Sequence, residues 1–119
     1  MKSFNIPDEE ALQYDIKWAY NAKEVNEWLA NHPVEWGWFK EEAKRCALTD
    51  RRTNMKHLAI AIGHNHPDEV VQGYVDVNDH LLPVLARHLL LAVPELGGLI
   101  QIKAIKYSFS DVFNGPEHN

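Results

Sequence analysis

Leu12-Gln13-Tyr14-Asp15-Ile16-Lys17-Trp18-Ala19-Tyr20 is the stretch on which the reading of the fold turns. Leu12, Tyr14, Ile16, Trp18 and Tyr20 alternate with Gln13, Asp15, Lys17 and Ala19, so a period of two is kept over nine positions. Successive side chains of a strand point to opposite faces, and the alternation predicts a β-strand with one buried side.

Helix signals follow this strand. Asn21 can cap a helix with Glu24 three residues on, and Val25, Trp28 and Leu29 form an apolar stripe that ends near His32-Pro33. Val34-Glu35-Trp36-Gly37-Trp38-Phe39 reads as a bend. Beyond it Phe39, Ala43, Cys46 and Ala47 recur at helical spacing among Lys40, Glu41, Glu42, Lys44 and Arg45. After the polar break Asp50-Arg51-Arg52-Thr53-Asn54, the apolar run Leu58-Ala59-Ile60-Ala61-Ile62 predicts a central strand. Gly63-His64-Asn65-His66-Pro67-Asp68 has the residues of a turn, and Val70 through Val77 resumes strand character, which makes an antiparallel hairpin.

Asn78 or Asp79 can cap the next helix, whose first turn tolerates Pro83. From Leu81 to Val93 only Arg87 and His88 are strongly polar, so this helix is expected to be buried on more than one face. Leu96-Gly97-Gly98 stops it with a left-handed glycine cap, and Leu99, Ile100, Ile102, Ile105, Tyr107 and Phe109 make a last strand. The order β-α-α-β-β-α-β predicts an α+β fold of the ferredoxin-like, split βαβ type, an antiparallel sheet with helices on one face. No Gly/Ser-rich linker and no repeat divides the chain, so 1–119 is read as a single domain. The sheet's uncovered face and the scarcity of polar surface on the Leu81–Val93 helix point to a homodimer.

At 45% hydrophobic and 24% charged residues, a chain of 119 can bury a core without staples. Twelve basic against seventeen acidic side chains leave a net charge of −5, which argues against nucleic acid as a partner. Cys46 is the only cysteine, so no internal disulfide can form. The N-terminal residues Met1 to Asp8 lack the apolar core of a secretory signal, and no apolar run approaches the ~20 residues that span a bilayer. A cytoplasmic protein without membrane attachment is the expectation.

Three clusters could carry chemistry. His64-x-His66-x-Asp68 sets two imidazoles and a carboxylate close together, a donor mixture suited to zinc, although the same residues serve turn chemistry. The spelling resembles the His-x-His-x-Asp-His signature of the metallo-β-lactamase superfamily. Glu69 stands where the second-metal histidine would be, and 119 residues cannot build that two-sheet sandwich, so the family is excluded. Trp28, Trp36, Trp38 and Phe39 put four large aromatics into twelve residues, able either to seal helices onto a sheet or to offer a binding surface. Lys44-Arg45 with Arg51-Arg52 could grip a phosphate or an acidic partner, or simply form a solvated helix end. Cys46 reads as a small packed hydrophobe, and no Gly-x-Ser-x-Gly or phosphate loop occurs.

In the C-terminal third, Ala86-Arg87 in a helix running to Gly97-Gly98-Leu99-Ile100 resembles the helix, Gly-Gly and strand close of small bacterial immunity-type and uncharacterised α+β domains. That resemblance implies binding of a toxin protein rather than turnover of a substrate, and it transfers no site residues. The composite expectation is a small, cytoplasmic, non-enzymatic binding module without a cofactor. It would recognise a protein partner or a small apolar ligand through Trp28, Trp36, Trp38 and Phe39. The alternative is a small metal-dependent protein or enzyme using His64, His66 and Asp68.

Overall fold

In a computed structural model, which describes residues 8–108, the stretch from Leu12 to Trp18 is helical. Helix α1 spans Glu9–Trp18; the Asp8 side chain accepts a hydrogen bond from the Ala11 amide at 2.8 Å and caps it. Glu9 and Glu10 in the first turn and Lys17 in the last complement the helix dipole. Leu12, Ile16 and Ala19 fall on one helical face; Leu12 and Ala19 are buried, whereas Tyr14 and Tyr20 are 48% and 51% exposed. The five alternating apolar residues therefore belong to two faces, and the predicted strand is replaced by a helix.

The remaining helices are α2 (Ala22–Asn31), α3 (Pro33–Leu48), α4 (Met55–Asn65) and α5 (Leu82–Ala92), with single 3-10 turns at Asp79–Leu81 and Pro94–Leu96. The described residues are 63% helical and contain no strand or sheet, about twice the usual helical share. This overturns the α+β, ferredoxin-like reading.

The run Leu58 to Ile62 lies in the middle of α4. Asn54 caps that helix by accepting from the His57 amide at 2.9 Å, and the buried residues Met55, Leu58, Ala59, Ile62 and Gly63 form a stripe of helical spacing. A compact apolar run is ambiguous between strand and buried helix, and here the cap and the stripe decide for helix.

Val70 to Val77 is an irregular loop lying across α4 rather than a paired strand. Val70 and Val75 are buried while Val71 is 83% exposed, and the Val75 amide donates to the Ala59 carbonyl at 3.2 Å. The loop comes so close that a Cβ on Gly63 would overlap the Gly73 carbonyl and stand 2.7 Å from the Tyr74 nitrogen. Gly73 itself has φ +90°, a conformation L side chains rarely adopt.

Pro33 occupies the first turn of α3, where its missing amide costs nothing, so Trp36-Gly37-Trp38 lies inside a helix and not in a bend. Helix α5 sits at the centre, packed by α1, α2 and α3, with Val84, Leu85, Ala86, Arg87, Leu89 and Leu90 all buried. It ends at Ala92, ahead of Pro94, rather than at Gly97-Gly98. No sheet exists among the described residues, so the uncovered sheet face that pointed to a homodimer is not there; α5 is packed by α1, α2 and α3, and Leu82 and Pro83 at its start stay partly exposed.

The final segment, read as a strand from Leu99, runs extended without joining a sheet. It touches the helices at two points: Thr53 donates to Leu99 and receives from Gln101 (both 2.9 Å), and Tyr20 donates to Lys106 while Trp18 receives from Ser108 (both 2.8 Å). Phe109 lies outside the described residues. No helix among the described residues is long and apolar enough to cross a membrane.

Candidate functional site

The aromatic cluster divides within α2 and α3. Trp28 meets Trp36 edge-on with centroids 6.4 Å apart and Phe39 at 6.3 Å, and Trp36 lies 5.9 Å from Phe39. His32, the single residue between the two helices, stacks on Trp28 at 4.6 Å. Residues two apart on a helix point to roughly opposite sides, so Trp38 leaves this group and stacks on His66 at 4.2 Å. Phe39 and Trp28 are buried in the core, and Trp36 and Trp38 are half-buried and packed against it.

The same geometry separates the suggested metal ligands. His64 is exposed on the last turn of α4, His66 caps that helix with its ring against Trp38, and Asp68 is exposed in the following turn. Among the described residues no group of three or more His, Cys, Asp or Glu side chains could hold a metal ion.

A recess of about 400 Å³ opens instead where the start of α4, the start of α5 and the extended segment meet. Met55, Leu82, Pro83 and Ala86 give it an apolar floor and Ile60, 46% exposed, stands at its mouth. Asn54, Lys56, His57, Asp79, Gln101 and Lys103 supply polar groups around it. Lys56 and Asp79 are both exposed and pair with each other at 3.3 Å, which leaves His57 and Lys103 available.

On the other side of His57 and Ile60 lies a broader, more open depression of about 570 Å³. It is lined by Glu42 and Arg45 of α3, Arg51 of the connecting loop, and His57, His64 and Asn65 of α4. Glu42 is buried and accepts from both Arg45 and Asn65, so its charge is engaged. The Arg51 guanidinium lies 3.9 Å from the Cys46 sulfur and meets no carboxylate among the described residues.

A third polar group is internal. Arg87, 8% exposed, donates to Asp15 at 2.7 Å and to the carbonyls of Pro83 and Lys103 at 2.7 and 3.0 Å. Tyr107 donates to the other Asp15 oxygen at 2.5 Å, and this bond, burial and the Asp15 charge push its phenol up from the ordinary value. With all its partners supplied by the chain, the network ties α1, α5 and the extended segment together. Burial holds the neighbouring His88 imidazole below its ordinary value.

The class that this fold and its recesses define is a small helical domain with a ligand-sized cleft beside a basic depression. No known protein family, curated protein or solved structure matches the chain.

The sequence flagged Arg45 and Arg51 as part of a basic cluster, and the structure brings them into one depression with His64. It contains no local signal for the cleft, whose walls come from residues 54–60, 79–86 and 101–103.

Proposed function

We propose that the protein is a small non-enzymatic binding module whose ligand is a small apolar molecule seated in the cleft between α4 and α5. The supporting observation is the cleft itself: its volume falls in the range of small-molecule sites, and the surface it exposes is mostly apolar although six of its eleven lining residues are polar. Ile60 adds to this reading. It interrupts the polar outer face of α4 with an aliphatic side chain that gains a partner only when something occupies the adjoining cleft. Trp36 and Trp38, by contrast, are half-buried and already engaged by Trp28, Phe39 and His66, so binding is assigned to the cleft.

The test is a titration with octanol followed by amide chemical shifts. Shifts should concentrate at Met55, Ile60, Leu82 and Ala86, and Ile60→Glu, a change at an exposed position, should weaken binding at least tenfold without altering the fold. Shifts spread over the surface, or an affinity indifferent to Ile60→Glu, would refute the reading.

A further inference from the structure

The charges of this acidic chain are unevenly placed. Residues 43–66 hold five Lys or Arg and one Asp, whereas the other 95 residues carry seven basic and sixteen acidic side chains. The fold gathers part of this basic stretch into the depression beside the cleft, where Arg51, His57 and His64 face the same space. Neither imidazole makes a hydrogen bond among the described residues, and Arg51 has no carboxylate partner there. Glu42, the one carboxylate in the lining, is already held by Arg45 and Asn65 and is not free to neutralise them.

His57 and Ile60 line both the depression and the apolar cleft, so the two recesses adjoin across the outer face of α4. We infer that the ligand is an amphipathic anion. Its apolar body lies in the cleft, and its carboxylate or phosphate head crosses Ile60 to reach Arg51, with the His57 and His64 rings as further hydrogen-bond donors. A guanidinium without a carboxylate partner, lining the depression that shares His57 and Ile60 with the apolar cleft, can bind such a head through charge-assisted hydrogen bonds. The local excess of positive charge also opposes the repulsion that a chain of net charge −5 exerts on an anion. The inference rests on the reading that the cleft holds a small apolar ligand, and it adds the class of that ligand.

The experiment compares octanol, octanoate, octyl phosphate and inorganic phosphate by calorimetric titration of the full chain and of Arg51→Gln. Octanoate and octyl phosphate are expected to bind wild type about tenfold more tightly than octanol, the worth of one charge-assisted hydrogen bond. That advantage should vanish in Arg51→Gln, while octanol, whose head carries no charge, should lose far less affinity than octanoate. Equal affinity for octanol and octanoate in wild type would overturn the inference and leave the cleft reading standing. So would an anion advantage that survives Arg51→Gln. If none of the three eight-carbon ligands binds, the cleft reading falls and the inference with it. If inorganic phosphate binds as tightly as octyl phosphate, the depression is a site for free anions and the amphipathic ligand is excluded. The relative affinities of octanoate and octyl phosphate identify the head group.

Discussion

Replacing Gly63 with Ala tests the helical reading of the segment first read as a hairpin. In the interior of an isolated helix the change would be stabilising by roughly 0.5–1 kcal/mol, because Gly loses more backbone freedom on folding. Here the new methyl group would occupy the space of the Gly73 carbonyl and press on the Tyr74 nitrogen, both backbone atoms. The loop must lift. Lifting breaks the bond from Val75 to Ala59, worth about 1 kcal/mol, and partly exposes Val70 and Val75, each of which contributes about 1.5–3 kcal/mol when fully buried. Half of that burial together with the hydrogen bond outweighs the propensity gain, and a net loss of about 2–3 kcal/mol is expected. Urea denaturation followed by tryptophan fluorescence would measure it, with circular dichroism confirming that the helices persist. Gly73→Ala is the control: its Cβ meets nothing within 4 Å, but φ of +90° is strained, so it should cost about 1–2 kcal/mol through the backbone alone. A Gly63→Ala variant as stable as wild type, or more stable, would refute the packing of the loop on α4.

Arg87→Met should cost about 3–5 kcal/mol in chemical denaturation, since it strands Asp15 and the Pro83 and Lys103 carbonyls in a mostly buried site. Trp36→Ala should lose about 3 kcal/mol through its contacts with Trp28 and Phe39, and Trp38→Ala about 1–2 kcal/mol through its stack on His66; both should bind octanol like wild type. His88 contributes a pH dependence of defined sign. Its folded-state value lies below the ordinary ~6.5, so the unfolded chain takes up its proton first as pH falls. Its contribution is therefore complete above that pH and is lost as pH falls through 6.5 toward the folded value; urea midpoints at neutral and mildly acidic pH should converge less in wild type than in His88→Leu.

The positions of three helices could be read from local signals. Val25, Trp28 and Leu29 mark α2, Phe39, Ala43 and Cys46 mark most of α3, and the long apolar stretch from Leu81 marks α5. Each failure has its own physical cause. At Leu12 to Tyr20, alternation counted Tyr14 and Tyr20 as core, but an aromatic residue with a polar end tolerates half exposure, and the burial of Leu12 and Ala19 follows the helical period. At Leu58 to Ile62 five apolar residues in a row satisfy either period, and the deciding partner, the Asn54 cap, stands four residues upstream of Leu58. Val70 to Val77 has strand composition, yet its hydrogen bond goes to a helix carbonyl through a close approach that Gly63 permits. The cleft required three distant segments to meet, which no local pattern encodes, whereas the basic cluster was visible because Arg45 and Arg51 are close in sequence.

The most direct test of the assigned site is the measurement of intermolecular nuclear Overhauser effects between bound octanol and the methyl groups of the protein. The account predicts contacts to Met55, Ile60 and Leu82, at the floor and mouth of the cleft between α4 and α5. Contacts confined to the neighbourhood of Trp36 and Trp38, with none to these three residues, would contradict it.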